Sequence, residues 1–131
     1  MNKLLIISSV WVEPNSSAAG SRMLQLIRFF LSQNYSIEYA STATVSEFSF
    51  DLADLGITTQ FIQLNDSSFD GYLQEINPNL VLFDRFMVEE QFGWRVSNVL
   101  PNAIKILDTE DLHCLRQAEM GKLLIFVIKI I

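Results

Sequence analysis

Five short β-prone runs, separated by segments that read as helices, constrain this chain more than any other feature. Lys3–Ser9, Ile37–Thr42, Ile57–Leu64, Leu80–Phe83 and Ala103–Leu107 have strand character. Between the first two runs, Met23, Leu24, Ile27, Phe30 and Leu31 share one face of a helix over Gly20–Gln33, closed by Asn34. Glu47–Leu55 reads as a short helix stopped by Gly56. Asp66 or Ser67 caps a helix carrying Phe69, Tyr72, Leu73 and Ile76, which Asn77-Pro78-Asn79 ends. Val88–Val99 is a helix with Phe92, Trp94, Val96 and Val99 as its apolar positions. Such alternation predicts an α/β fold. Its parallel sheet is open and Rossmann-like, has strand order 3-2-1-4-5, and carries helices on both faces. The first and fourth runs are apolar throughout, as strands covered on both faces are, so they are expected to be adjacent and central.

Composition limits the functions open to this fold. Half of the 131 residues are hydrophobic and 18% are charged, enough for one packed domain and unlike a disordered chain. Nine Lys and Arg against fifteen Asp and Glu give −6, which argues against a nucleic-acid partner. With one cysteine, Cys114, and one histidine, His113, neither an internal disulfide nor a His/Cys zinc cluster can form. The first residues pass only superficially for a signal peptide: Ser8, Ser9, Glu13 and Pro14 interrupt the pattern. They are read as a buried first strand, and the location expected is cytoplasmic. At the other end, the apolar run Leu123–Ile128 is shorter than the ~20 residues a membrane helix needs. It reads as a last strand or as an abnormal ending, and as an exposed β-prone tail it would promote self-association.

Ligands of open parallel sheets bind beyond the carboxyl ends of the strands, where strand order reverses. That point lies between the first and fourth strands. The long Val10–Ala19 connection and the Asp84–Glu90 segment should face each other there, with the segment after Leu107 beside them. The dinucleotide fingerprint, the phosphate-binding loop of P-loop NTPases and the nucleophile elbow are all missing from the sequence. Ser16–Arg22 is the best anion-contacting candidate: Gly20 lets backbone approach a ligand and Arg22 adds a forked donor. An ordinary helix cap with Arg22 in solvent accounts for the same residues. Asp84 and Arg85 end a buried strand, where charge must find a partner, and they can pair with each other. Asp108 and His113 belong to the densest polar cluster. A histidine there is either structural or a donor to a sugar hydroxyl or pyrophosphate oxygen.

The first strand with its small-residue loop, FDRFMVEEQFGWRV and ILDTEDLHCLR together resemble the amino-terminal domain of bacterial GT-B glycosyltransferases of the retaining, family-four type. The resemblance covers residues 1–118 as an incomplete domain, followed by an apolar tail over 119–131. It implies transfer of a sugar from a nucleotide-sugar donor to an acceptor, with no cofactor and no metal required for the chemistry. It places His113 against the donor sugar as the catalytic candidate and Gly20 near the donor phosphates. Arg22, Asp84, Arg85 and Asp108 complete the expected substrate-binding set. The family's carboxyl-terminal domain, which holds most nucleotide contacts, has no counterpart in these residues. The expectation is therefore a truncated domain, inactive by itself. The alternative is a non-enzymatic Rossmann-like module that binds a small ligand or a partner chain.

Overall fold

The computed structural model describes residues 2–13, 18–44, 51–108 and 128–130. Its elements are β1 (Lys3–Ser8), α1 (Ala18–Ser32), β2 (Ser36–Ser41), a 3-10 turn (Leu52–Leu55), β3 (Thr58–Phe61), α2 (Ser68–Ile76), β4 (Leu80–Asp84), α3 (Phe86–Val99), β5 (Ile104–Asp108) and β6 (Ile128–Ile130). The sheet order is β3-β2-β1-β4-β5-β6. The first five strands are parallel, as the alternation predicts. The sixth runs antiparallel to β5, pairing Asp108 with Ile128.

The two continuous apolar runs lie side by side at the centre, with Leu5 opposite Val81 and Ile7 opposite Phe83. Leu4, Leu5, Ile6 and Ile7 are all fully buried, because β1 has a helical layer on each face. On one face Leu4, Ile6, Tyr39 and Leu82 pack beneath Met23, Leu26, Ile27 and Phe30 of α1. On the other, Leu5, Ile7, Val81 and Phe83 pack beneath Phe69 and Leu73 of α2 and Val88, Phe92 and Val96 of α3. Each such side chain contributes about 1.5–3 kcal/mol on burial.

Four local expectations change. In place of a helix over Glu47–Leu55, the described part of that stretch is a single 3-10 turn. Asp51 caps it by accepting from the Ala53 N–H at 3.1 Å, and Gly56 closes it at φ 78°. Ile57–Leu64 shortens to β3, four exposed residues paired, among the described residues, to β2 alone. The third helix starts at Phe86 rather than Val88. Trp94 is not a core position: it is 53% exposed on the outer side of α3, with the Arg95 guanidinium 4.6 Å from its ring centroid. Among the described residues no helix is long and apolar enough to cross a membrane.

Candidate active site at the sheet's switch point

β1 and β4 are neighbours, whereas the chain leaves them toward opposite sides of the sheet, so a crevice opens beyond their carboxyl ends. It encloses about 200 Å³ and is lined by Val10, Trp11, Val12, Glu13, Gly20, Met23, Tyr39, Asp84 and Arg85. Its walls are built from the loop after β1, the start of α1 and the β4–α3 junction.

The loop is fixed by its aromatic residue. Trp11 stacks on Tyr39 with ring centroids 5.6 Å apart, and its indole N–H donates to the Ala43 carbonyl at 2.6 Å. The Tyr39 hydroxyl in turn donates to the Val10 carbonyl at 2.9 Å. This holds the Glu13 backbone against α1 so closely that Gly20 is obligatory. A Cβ at Gly20 would stand 2.6 Å from the Glu13 carbonyl carbon and 2.9 Å from its nitrogen. The glycine thus serves a backbone-to-backbone contact within the protein.

Beneath the loop, Ser8 is fully buried at the end of β1 and donates to Asp84 Oδ2 at 2.7 Å. The same hydroxyl accepts from the Val10 N–H at 3.1 Å. Asp84 and Asp108 are register partners at the ends of β4 and β5, 3% and 0% exposed. Two carboxylates buried side by side need compensation. Asp108 receives it from Arg22, whose two terminal nitrogens donate to its two oxygens at 2.6 and 2.7 Å. Such a two-pronged pair is the strongest geometry open to arginine. It makes Arg22 a partly buried structural partner of β5, 15% exposed, rather than a solvated helix residue. Asp84 has Arg85 Nε 4.0 Å away.

Arg85 itself is unusual. Its backbone sits at φ 80°, ψ 155°, a region that glycine alone adopts readily. The distortion costs about 1–3 kcal/mol. It lets the Arg85 N–H donate to the Asp108 carbonyl at 2.7 Å, joining β4 to β5 one residue beyond the ladder. The side chain, 43% exposed, lines the crevice.

Five of the six residues singled out from the sequence therefore occupy one edge of the sheet: Gly20, Arg22, Asp84, Arg85 and Asp108. His113 lies outside the described residues. The structure adds Ser8, Trp11, Glu13 and Tyr39, which the sequence reading left out of the site. Ser8 was marked only by its place at a strand end, and Trp11 by its place in an overlong loop. Among the described residues no group of three or more His, Cys, Asp or Glu is placed to hold a metal ion.

A larger depression of about 430 Å³ lies at the opposite edge, between the Asn77–Asn79 turn and Val99–Ile104. No charged residue lines it, so its size is not matched by chemistry. No protein-family model matches the chain, and no curated protein matches it.

Proposed function

We propose that the chain is a glycosyltransferase domain of the GT-B amino-terminal type, taking a nucleotide-sugar donor and a hydroxyl acceptor at the switch-point crevice. The observation that carries this reading is the convergence of Asp84, Arg85, Gly20 and a fixed aromatic loop on one cavity between β1 and β4. Carboxylate and guanidinium side by side present an acceptor and a donor to sugar hydroxyls, and an aromatic wall suits the apolar face of a sugar ring. At about 200 Å³ the crevice is smaller than the ~300–1,000 Å³ of most ligand pockets, so it covers only part of such a donor. Binding is expected to be weak, with Kd near 1 mM, about 4 kcal/mol.

A second reading, a non-enzymatic Rossmann-like binding module, is favoured by the Arg22–Asp108 pair, which commits two of the expected site residues to holding α1 on β5. Calorimetric titration with UDP-glucose and GDP-mannose, alongside a radiolabelled sugar-transfer assay, separates the two. Saturable heat that Asp84→Asn abolishes supports the glycosyltransferase reading. Silence toward every nucleotide sugar, with the fold intact, rejects it.

A further inference from the structure

We propose that β3 is a docking edge for a second copy of this chain, the two β3 strands pairing antiparallel about a two-fold axis at Gln60. The Ile62 N–H donates to the Ser41 carbonyl at 2.9 Å, so Ile62 faces β2, and by strand alternation Gln60 and Thr58 face it too. Thr59 and Phe61 therefore turn their N–H and C=O groups to the outer side. Among the described residues, that row receives one bond, from the Gln60 carboxamide to the Phe61 carbonyl at 3.0 Å. It is an exposed bond between neighbours, and it leaves the carbonyl a second lone pair. All four residues of β3 are exposed, Phe61 by 49%.

The other end of the described sheet is guarded differently. There β6 covers β5, is three residues long and carries Lys129 at its middle, and a lysine on an edge discourages further pairing. From Ile57 to Leu64 there is no lysine, no proline and no charge of either sign, in a chain of net charge −6. Two copies that repel each other overall meet at least cost along such a neutral edge. The register follows from the bonds. Centred on Gln60, Thr59 of one copy and Phe61 of the other exchange N–H···O=C bonds, twice by symmetry. Centring on Thr59 would instead call on the Ile57 N–H, which already donates to the Leu52 carbonyl at 3.2 Å. On the face that Thr59 and Phe61 share with Tyr39, each Phe61 then lies opposite the other copy's Thr59, a favourable aromatic–β-branched pair. So small a contact belongs to the transient class, with Kd on the order of 0.1 mM. The inference is independent of what the crevice binds.

The test uses the full chain in sedimentation equilibrium and in amide hydrogen exchange followed by NMR, from about 20 µM to about 1 mM, a range that brackets the expected Kd. A monomer–dimer equilibrium is expected, with exchange of the Thr59 and Phe61 amides slowing about threefold or more across the range. The Gln60 and Ile62 amides, already bonded to β2, serve as internal references for the ladder. Thr59→Pro removes an outward N–H and spares that ladder, and Phe61→Lys places a charge on the edge. Each should raise Kd at least tenfold while Ile62 stays protected. Asn102→Lys, which adds the same charge at an exposed turn of the opposite end of the strands, should not weaken the dimer. A chain that stays monomeric to 1 mM overturns the proposal. So does a dimer in which Thr59 and Phe61 exchange at an unchanged rate, because the contact then lies elsewhere. A Phe61→Lys chain that pairs as tightly as the wild type overturns it too.

Discussion

The two edges of the sheet are made from the same strands and have opposite chemistry. At the carboxyl edge the chain buries Asp84, Asp108 and Ser8, clamps Asp108 with Arg22, ties Ser8 to Asp84, and holds Arg85 in a backbone shape suited to glycine. At the amino edge it closes two turns, Asn77-Pro78-Asn79 and Leu100-Pro101-Asn102, with ordinary bonds. Examples are Lys3 N–H to Asn79 Oδ1 at 2.8 Å and Ile104 N–H to the Asn79 carbonyl at 3.0 Å. The amino edge has the larger hollow, about 430 against 200 Å³. Volume follows from where turns end, whereas buried charge requires a network that must be built and held. The buried charge therefore gathers beside the smaller hollow.

That contrast can be broken by substitution. The largest effect is expected from Asp108→Asn, which leaves Arg22 facing a neutral partner inside the protein. Losing one member of a buried pair should destabilise by about 3 kcal/mol, read as a lower urea midpoint at unchanged slope. A loss under about 0.5 kcal/mol would make the carboxyl edge no more organised than the other.

Gly20→Ala comes next. The added methyl meets backbone rather than a side chain that could swing away, so the loop after β1 must move. A cost of about 1–3 kcal/mol is expected, together with weaker binding of any crevice ligand. Unchanged stability would mean that the Glu13–Gly20 contact is not close in solution.

Ser8→Ala is expected to cost about 1–2 kcal/mol, because it takes a hydrogen bond from the buried Asp84. The smallest effect belongs to the amino edge. Asn102→Ala, at an exposed turn, should stay within about 0.5 kcal/mol by the same urea measurement. A larger loss there would erase the difference between the edges.

The sequence made the architecture legible because its clearest signals were global ones. Leu4–Ile7 and Val81–Phe83 could only be doubly covered strands, and the alternation of elements then dictated their order. Gathering Gly20, Arg22, Asp84, Arg85 and Asp108 on one edge required topology alone, without knowledge of contacts. Who bonds to whom was not legible. Arg22 and Asp108 are 86 positions apart and Ser8 and Asp84 are 76 apart, and no local pattern joins them. Asp84 and Arg85, the pair suggested by adjacency, meet at a looser 4.0 Å. The conformation of Arg85 was hidden for a related reason. Glycine is the usual marker of that backbone shape, and the sequence offers none there. β3 was overdrawn because propensity does not register that an edge strand has one neighbour to hold it.

The burial of Trp11 gives the chain an optical property. Of its two tryptophans, Trp11 is 9% exposed on the crevice wall, stacked and hydrogen-bonded, while Trp94 is 53% exposed on the outer side of α3. An aqueous quencher such as acrylamide reaches Trp94 first, so it strips that emission and leaves a bluer signal from Trp11. Replacing Trp94 with Phe makes the separation complete without touching the crevice. Light from the remaining indole then reports on the cavity alone, and whatever enters it announces itself without a label.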